Sequence, residues 1–230
     1  MRFVYLLILL IIVNLPVHAI ENFDLASEQT IQTRIDNIGT NILNKNKIQK
    51  RIIFTYNKRT KKKALSSNKT LSKRQIIVYD GLYQTAQTDD ELAAMLSREI
   101  STAMKSYSGV WGGALDSAQV TLGSKKFELA ADKIAVDYMV NAGFNPLALI
   151  IYINKTCPQK RFDKLSRHNL TSKRLARIYE YITYKYPHYL ENNEYTNNKY
   201  YQNFLLTSVE NRKKLEEKIQ TKSTKEVRYE

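Results

Sequence analysis

The sequence predicts a helix-rich α+β fold with one small β-sheet, and three observations lead there. Isoleucines 31, 35, 38 and 42 recur at helical spacing, and further segments after residue 88 repeat that period. Two short runs, 52–57 and 75–79, are rich in β-branched and aromatic residues and end in polar or turn-forming positions. The chain has 230 residues, 43% hydrophobic and 25% charged, enough for one sizeable core without staples. A lone Cys157 excludes an internal disulfide framework and any paired-cysteine metal site.

Residues 1–19 carry one Arg, an apolar run of eleven residues from Phe3 to Val13, then Pro16 and the small residues Val17 and Ala19. That pattern reads as a cleaved export signal, because eleven residues fall short of the ~20 that a membrane-spanning helix needs. The protein is accordingly expected in the periplasm or secreted, with a main domain over 20–184. Residues 25–49 place the isoleucine stripe on an amphipathic helix. Residues 52–57 alternate as a half-buried strand, and 75–79 form a second strand that stops at Asp80-Gly81. Thr88 to Glu91 read as a capping box, opening a helix to about residue 107 with Leu92, Met95, Leu96 and Ile100 inward.

The next helix is expected over about 125–142, with Phe127, Ala131, Ile134 and Tyr138 inward and Gly143 as its stop. Asn145-Pro146 starts another. A further helix from about residue 171 turns Leu175, Ile178, Tyr179 and Ile182 to the core. Residues 185–230, rich in Tyr, Asn and Lys, read as a peripheral helical tail, with the last dozen frayed or disordered.

Charge is distributed unevenly. Lys+Arg number 36 against 22 Asp+Glu, a net +14, and residues 45–74 alone hold twelve basic groups and no acid. This block reads as a solvated, solubilising loop or as a contact for an anionic membrane surface. Nucleic acid is not an expected partner, since an exported chain does not meet it and no aromatic side chains interleave the lysines.

Three segments carry the chemistry: QIIVYDGLYQTAQTDDELAAMLSREIST, KKFELAADKIAVDYMVNAGFNPLALI and SRHNLTSKRLARI. Over about residues 75–180 they resemble the zinc metallopeptidases related to HtpX, BepA and the CAAX prenyl proteases, the gluzincin type with a His-Glu-x-x-His helix. The resemblance implies a zincin-like metallopeptidase fold, in which a peptide adds beside the strand at 76–79. It places Glu99 as the general base, Glu128 as the third metal ligand, and Asp132 as the carboxylate that backs that ligand. His168 and Arg174 match the segment that folds over the site, although Asn169 stands where the family has Pro.

The metal-binding helix departs from the family at both histidines. Zinc needs two imidazoles one turn apart on one helix face, and here those positions are Arg98 and Thr102. Two histidines survive signal removal, His168 and His188, and neither lies on that helix. The expectation is therefore no cofactor, with Arg98 supplying the positive charge that Glu128 requires. A plainer alternative pairs Glu128 and Asp132 with Lys126 or Lys133 on their own helix, and leaves Glu99 as an ordinary ion-pair partner. The functional expectation is an inactive pseudopeptidase that binds polypeptide or envelope partners. The alternative is an active zinc endopeptidase with non-standard ligands, in which Glu99 remains the general base and Glu128 a ligand.

Overall fold

The isoleucine stripe becomes the inner face of helix α1 (Val17–Lys45), where Ile35, Ile38 and Ile42 are buried. The structure is a computed structural model that describes residues 17–58, 66–67, 75–107, 124–157 and 170–230. Residues 1–16 of the expected export signal, seven of the twelve basic groups of the 45–74 block including Lys61 to Lys63, and His168 lie outside the described residues. Helix α1 begins eight residues before the periodicity places it, so Val17 to Ala19 belong to both the helix and the segment expected to be removed.

Three strands follow: β1 (Ile53–Asn57), β2 (Ser66–Ser67) and β3 (Gln75–Tyr79). Their order is β1-β3-β2, with β1 parallel and β2 antiparallel to β3. β3 is therefore central, paired with β1 from Gln75 to Tyr79 and with β2 at Ile76 and Ile77. This corrects the expectation that 76–79 is an edge to which a peptide could add. The outer edge of β1 is also covered: the Gln32 side chain donates to Phe54 O at 3.0 Å and accepts from Tyr56 N at 2.7 Å, taking the place of a neighbouring strand.

Helix α1 lies close on β1 because Gly39 has no side chain. A Cβ there would stand 2.4 Å from Cε2 of Phe54, a ring that is itself buried. Gly39→Ala is expected to cost about 1–3 kcal/mol of stability by overpacking. Urea denaturation measures this, and an unchanged midpoint would count against the close approach.

A four-residue turn, α2 (Asp80–Tyr83), leads to α3 (Asp89–Tyr107). The capping box forms largely as expected. Thr88 Oγ1 accepts from Glu91 N at 3.2 Å, and the Glu91 carboxylate accepts from Gln87 N at 2.9 Å. Helix α4 (Ser124–Asn141) stops at Gly143, whose φ of 83° favours glycine. Its inward face is only in part the one that hydropathy picks, sharing Ala131 with it. Ala131, Asp132, Ala135, Val136 and Met139 are buried, while Phe127, Ile134 and Tyr138 are only partly so. Small residues win this face because they let α4 approach α3, where the Ser101 hydroxyl bridges Arg98 O and Ala131 O at 2.8 and 2.9 Å.

Helix α5 (Leu147–Thr156) has every residue from Leu147 to Ile153 buried, as a helix apolar all round must. It is packed by α3, by α6 (Thr171–Lys185) and by α8 (Lys199–Thr207). A single turn, α7 (His188–Glu191), precedes α8, and α9 (Val209–Gln220) follows it. From the segment expected as a peripheral tail, Tyr201 and Phe204 are buried in the core, and Tyr229 near the end of the chain is buried as well. Among the described residues no helix is long and apolar enough to cross a membrane.

Candidate functional site

Helices α3, α4 and α6 each turn charged side chains toward one buried point. From α3 come Arg98 and Glu99, from α4 Glu128 and Asp132, and from α6 Arg174. The spacing explains the convergence, because Glu128 and Asp132 are four residues apart and share one face of α4. Of the residues expected at the site, these five meet, Thr102 bonds to the main chain of its own helix, and His168 is not among the described residues.

Asp132 is the hub. Arg174 Nε donates to its Oδ2 and Nη2 to its Oδ1, both at 2.8 Å, while Arg98 Nε approaches Oδ1 at 3.3 Å. Glu128 Oε1 lies 3.3 Å from Arg174 Nη1 and 3.7 Å from Arg98 Nη2. Glu99 Oε1 lies 3.3 Å from Arg98 Nη1. Arg98 thus reaches three carboxylates at once, as expected for Glu128, yet the two-pronged pair belongs to Arg174 and Asp132. The alternative pairings through Lys126 or Lys133 do not describe the cluster; Lys133 lies over the Tyr181 ring instead.

Burial makes these contacts consequential. Asp132 is 1% and Arg174 3% exposed, so each needs the other in place of water. Burial works to lower the basicity of Arg98, but Asp132 and Glu99 outweigh it and hold the guanidinium more firmly protonated than usual. The same balance, with Asp132 foremost among the opposing groups, applies to Arg174. Burial pushes the Glu99 carboxyl above its ordinary value, with Arg98 and Arg174 pulling it back. Three carboxylates share two guanidiniums, and Glu99 is the least well served.

The donor set does not fit a divalent metal. A guanidinium stands among the carboxylates that would hold the ion, and Glu128 is shared between two arginines. Thr102, at the second ligand position, spends its hydroxyl on Arg98 O of its own helix at 2.9 Å. No group of three His, Cys, Asp or Glu suited to a metal exists among the described residues. A guanidinium balances charge but has no open position at which to bind and acidify a water. The cluster as built can hold three helices in register.

Reasoning from sequence missed two buried polar side chains of α5. Tyr152 on α5 is buried beside the cluster; its hydroxyl is held well above its usual range chiefly by burial, with Glu99 adding to the effect. Lys155 on the same helix pairs with Glu91. Neither had a motif to reveal it, since the α5 segment reads simply as apolar. A cleft of about 670 Å³, lined by Gln29, Thr33, Arg34, Asn37 and Asp89 among others, lies toward the other end of α3 and touches none of the five.

No family model, curated protein or solved structure matches the chain.

Proposed function

We propose that the chain is an exported pseudopeptidase: a zincin-like domain in which an arginine stands where a metallopeptidase holds its metal, and which acts by binding polypeptide or envelope partners. The observation that carries this reading is the Arg98 guanidinium, within 3.3–3.7 Å of Glu99, Glu128 and Asp132. The resemblance over residues 75–180 supplies the family, and the composition of residues 1–19 supplies export. In this reading Glu99 is a general base with nothing to activate, Glu128 and Asp132 are a ligand and its backing carboxylate turned into anchors for arginine, and His168 belongs to the segment over the site. The basic block of residues 45–74 is the proposed contact with an anionic membrane surface.

Purified full-length protein, dialysed against zinc and then freed of excess, is expected to retain no stoichiometric metal and to leave casein intact. Glu99→Gln is expected to hold or raise the unfolding midpoint at neutral pH. The sign follows from linkage: a carboxyl whose folded pKa is raised contributes stability below its ordinary value of 4.5 and loses it as pH rises through the folded pKa. The neutral amide removes that cost. Stoichiometric zinc together with casein cleavage that Glu99→Gln abolishes would overturn the proposal.

A further inference from the structure

Residues 226–230, outside helix and strand, lie across α6 and α9 and are held by side chains in the manner of a bound peptide. The Asn211 side chain of α9 donates to Glu230 O at 2.9 Å and accepts from Glu230 N at 3.1 Å, gripping both main-chain groups of one residue. Arg177 of α6 donates to Val227 O at 2.7 Å and to the Glu226 carboxylate. The Tyr229 ring lies 4.9 Å from the Arg177 guanidinium carbon and is 6% exposed, while Lys214 Nζ reaches the Glu230 carboxylate at 3.1 Å.

The receiving surface is built independently of what it holds. Arg177 is fixed from below by Glu180, at 2.9 Å, and Glu180 in turn by Lys218, also at 2.9 Å. Burial works to raise the Glu180 pKa, but Lys218 and Arg177 prevail and keep it below its ordinary value, so the carboxylate that orients Arg177 stays charged. The span that leads to 226–230 is mostly exposed and contains Lys222 at a φ of 50°, a conformation that a lysine rarely adopts.

We propose that the α6–α9 surface is a recognition site for extended polypeptide with an acidic-x-x-aromatic-acidic pattern, and that residues 226–230 occupy it in cis as its built-in competitor. Asn211, Arg177 and Lys214 all reach main chain, which any extended peptide offers; Tyr229 is the anchor, and the flanking acids meet Arg177 and Lys214. An attached segment acts at an effective concentration near millimolar, so an outside peptide binds well only once the strap is displaced. The inference deepens the polypeptide-binding role proposed above and rests on it, yet uses none of the five residues of the buried cluster.

The test uses the full-length chain carrying Glu226→Ala and Tyr229→Ala, with a fluorescein-labelled KEVRYE peptide as probe in fluorescence anisotropy. The variant is expected to bind the probe at least about tenfold more tightly than the unmutated chain, and adding Asn211→Ala is expected to abolish the gain. Trypsin is expected to cut after Lys225 faster in the variant. Equal or absent binding in the two chains, binding insensitive to Asn211, or a strap still protected in the variant would each overturn the inference. So would a concentration-dependent dimer of the unmutated chain with straps exchanged, which would make a second copy the occupant. Failure of the probe in a chain that remains zinc-free and inert removes this inference alone; zinc with Glu99-dependent cleavage removes the functional reading whatever the probe does.

Discussion

Asp132→Ala is expected to lower the free energy of unfolding by about 3–5 kcal/mol, the usual consequence of leaving a buried charge without its partner. Arg174 would lose both 2.8 Å bonds and keep only Glu128 at 3.3 Å, at a site that admits almost no water. Arg98 would lose one of three carboxylates but is 23% exposed along its side chain, so water takes up part of the deficit. Guanidinium denaturation of the two chains measures the difference. Adding Arg174→Met to Asp132→Ala is expected to restore a good part of the loss, because the orphaned guanidinium is then gone. A cost below about 1 kcal/mol for Asp132→Ala, the range of exposed pairs, would mean that the cluster is not the buried hub described above.

Lys155→Met is expected to produce a loss of similar size, about 3–5 kcal/mol. Lys155 Nζ lies 2.8 and 2.7 Å from the two oxygens of Glu91, and the side chains are 5% and 1% exposed. The ammonium also reaches Thr85 O and Gln87 Oε1, at 3.3 and 3.2 Å, and stands 5.0 Å from the Tyr200 ring. Without it Glu91 keeps only the Gln87 amide, which cannot neutralise a buried carboxylate. Thermal unfolding with Lys155→Met beside Lys155→Met/Glu91→Leu separates the orphaned charge from lost packing. The double variant is expected to be the more stable of the two; if it is not, the pair is not what Glu91 depends on.

Glu91 shows how far local sequence reaches. Its place three residues after Thr88 marks it as a cap, and the cap forms, yet the cap is the lesser of its roles. The ammonium that neutralises it comes from a helix 64 residues on, and no local pattern joins them. The α4 face shows the same limit. Hydropathy turned Phe127, Ala131, Ile134 and Tyr138 inward; of these only Ala131 is fully buried, because close approach to α3 demanded small residues and placed Asp132 where Arg174 could reach it. The strand at 75–79 was legible as a strand, but its central position was not, because a neighbour of only two residues leaves no periodicity to read.

The resemblance led to the expectation that Arg98, Glu99, Glu128, Asp132 and Arg174 belong to one site, and in the structure these five side chains do meet. What joins them was not legible in the sequence. That Arg98 divides itself among three carboxylates while Arg174 takes the two-pronged bond to Asp132 depends on where three helix axes cross.

Sequence alone determined the helix-rich α+β class, the isoleucine face of α1, the caps at Thr88 and Gly143, and the lack of an imidazole pair on α3. Each of these is local, set by side-chain periodicity or by backbone preference within a few residues. Tertiary structure alone decided which charges neutralise one another, that β3 is interior, and that residues 226–230 lie docked across α6 and α9. These outcomes turn on desolvation, and whether a charged or polar group loses its water is fixed by what packs over it from distant parts of the chain.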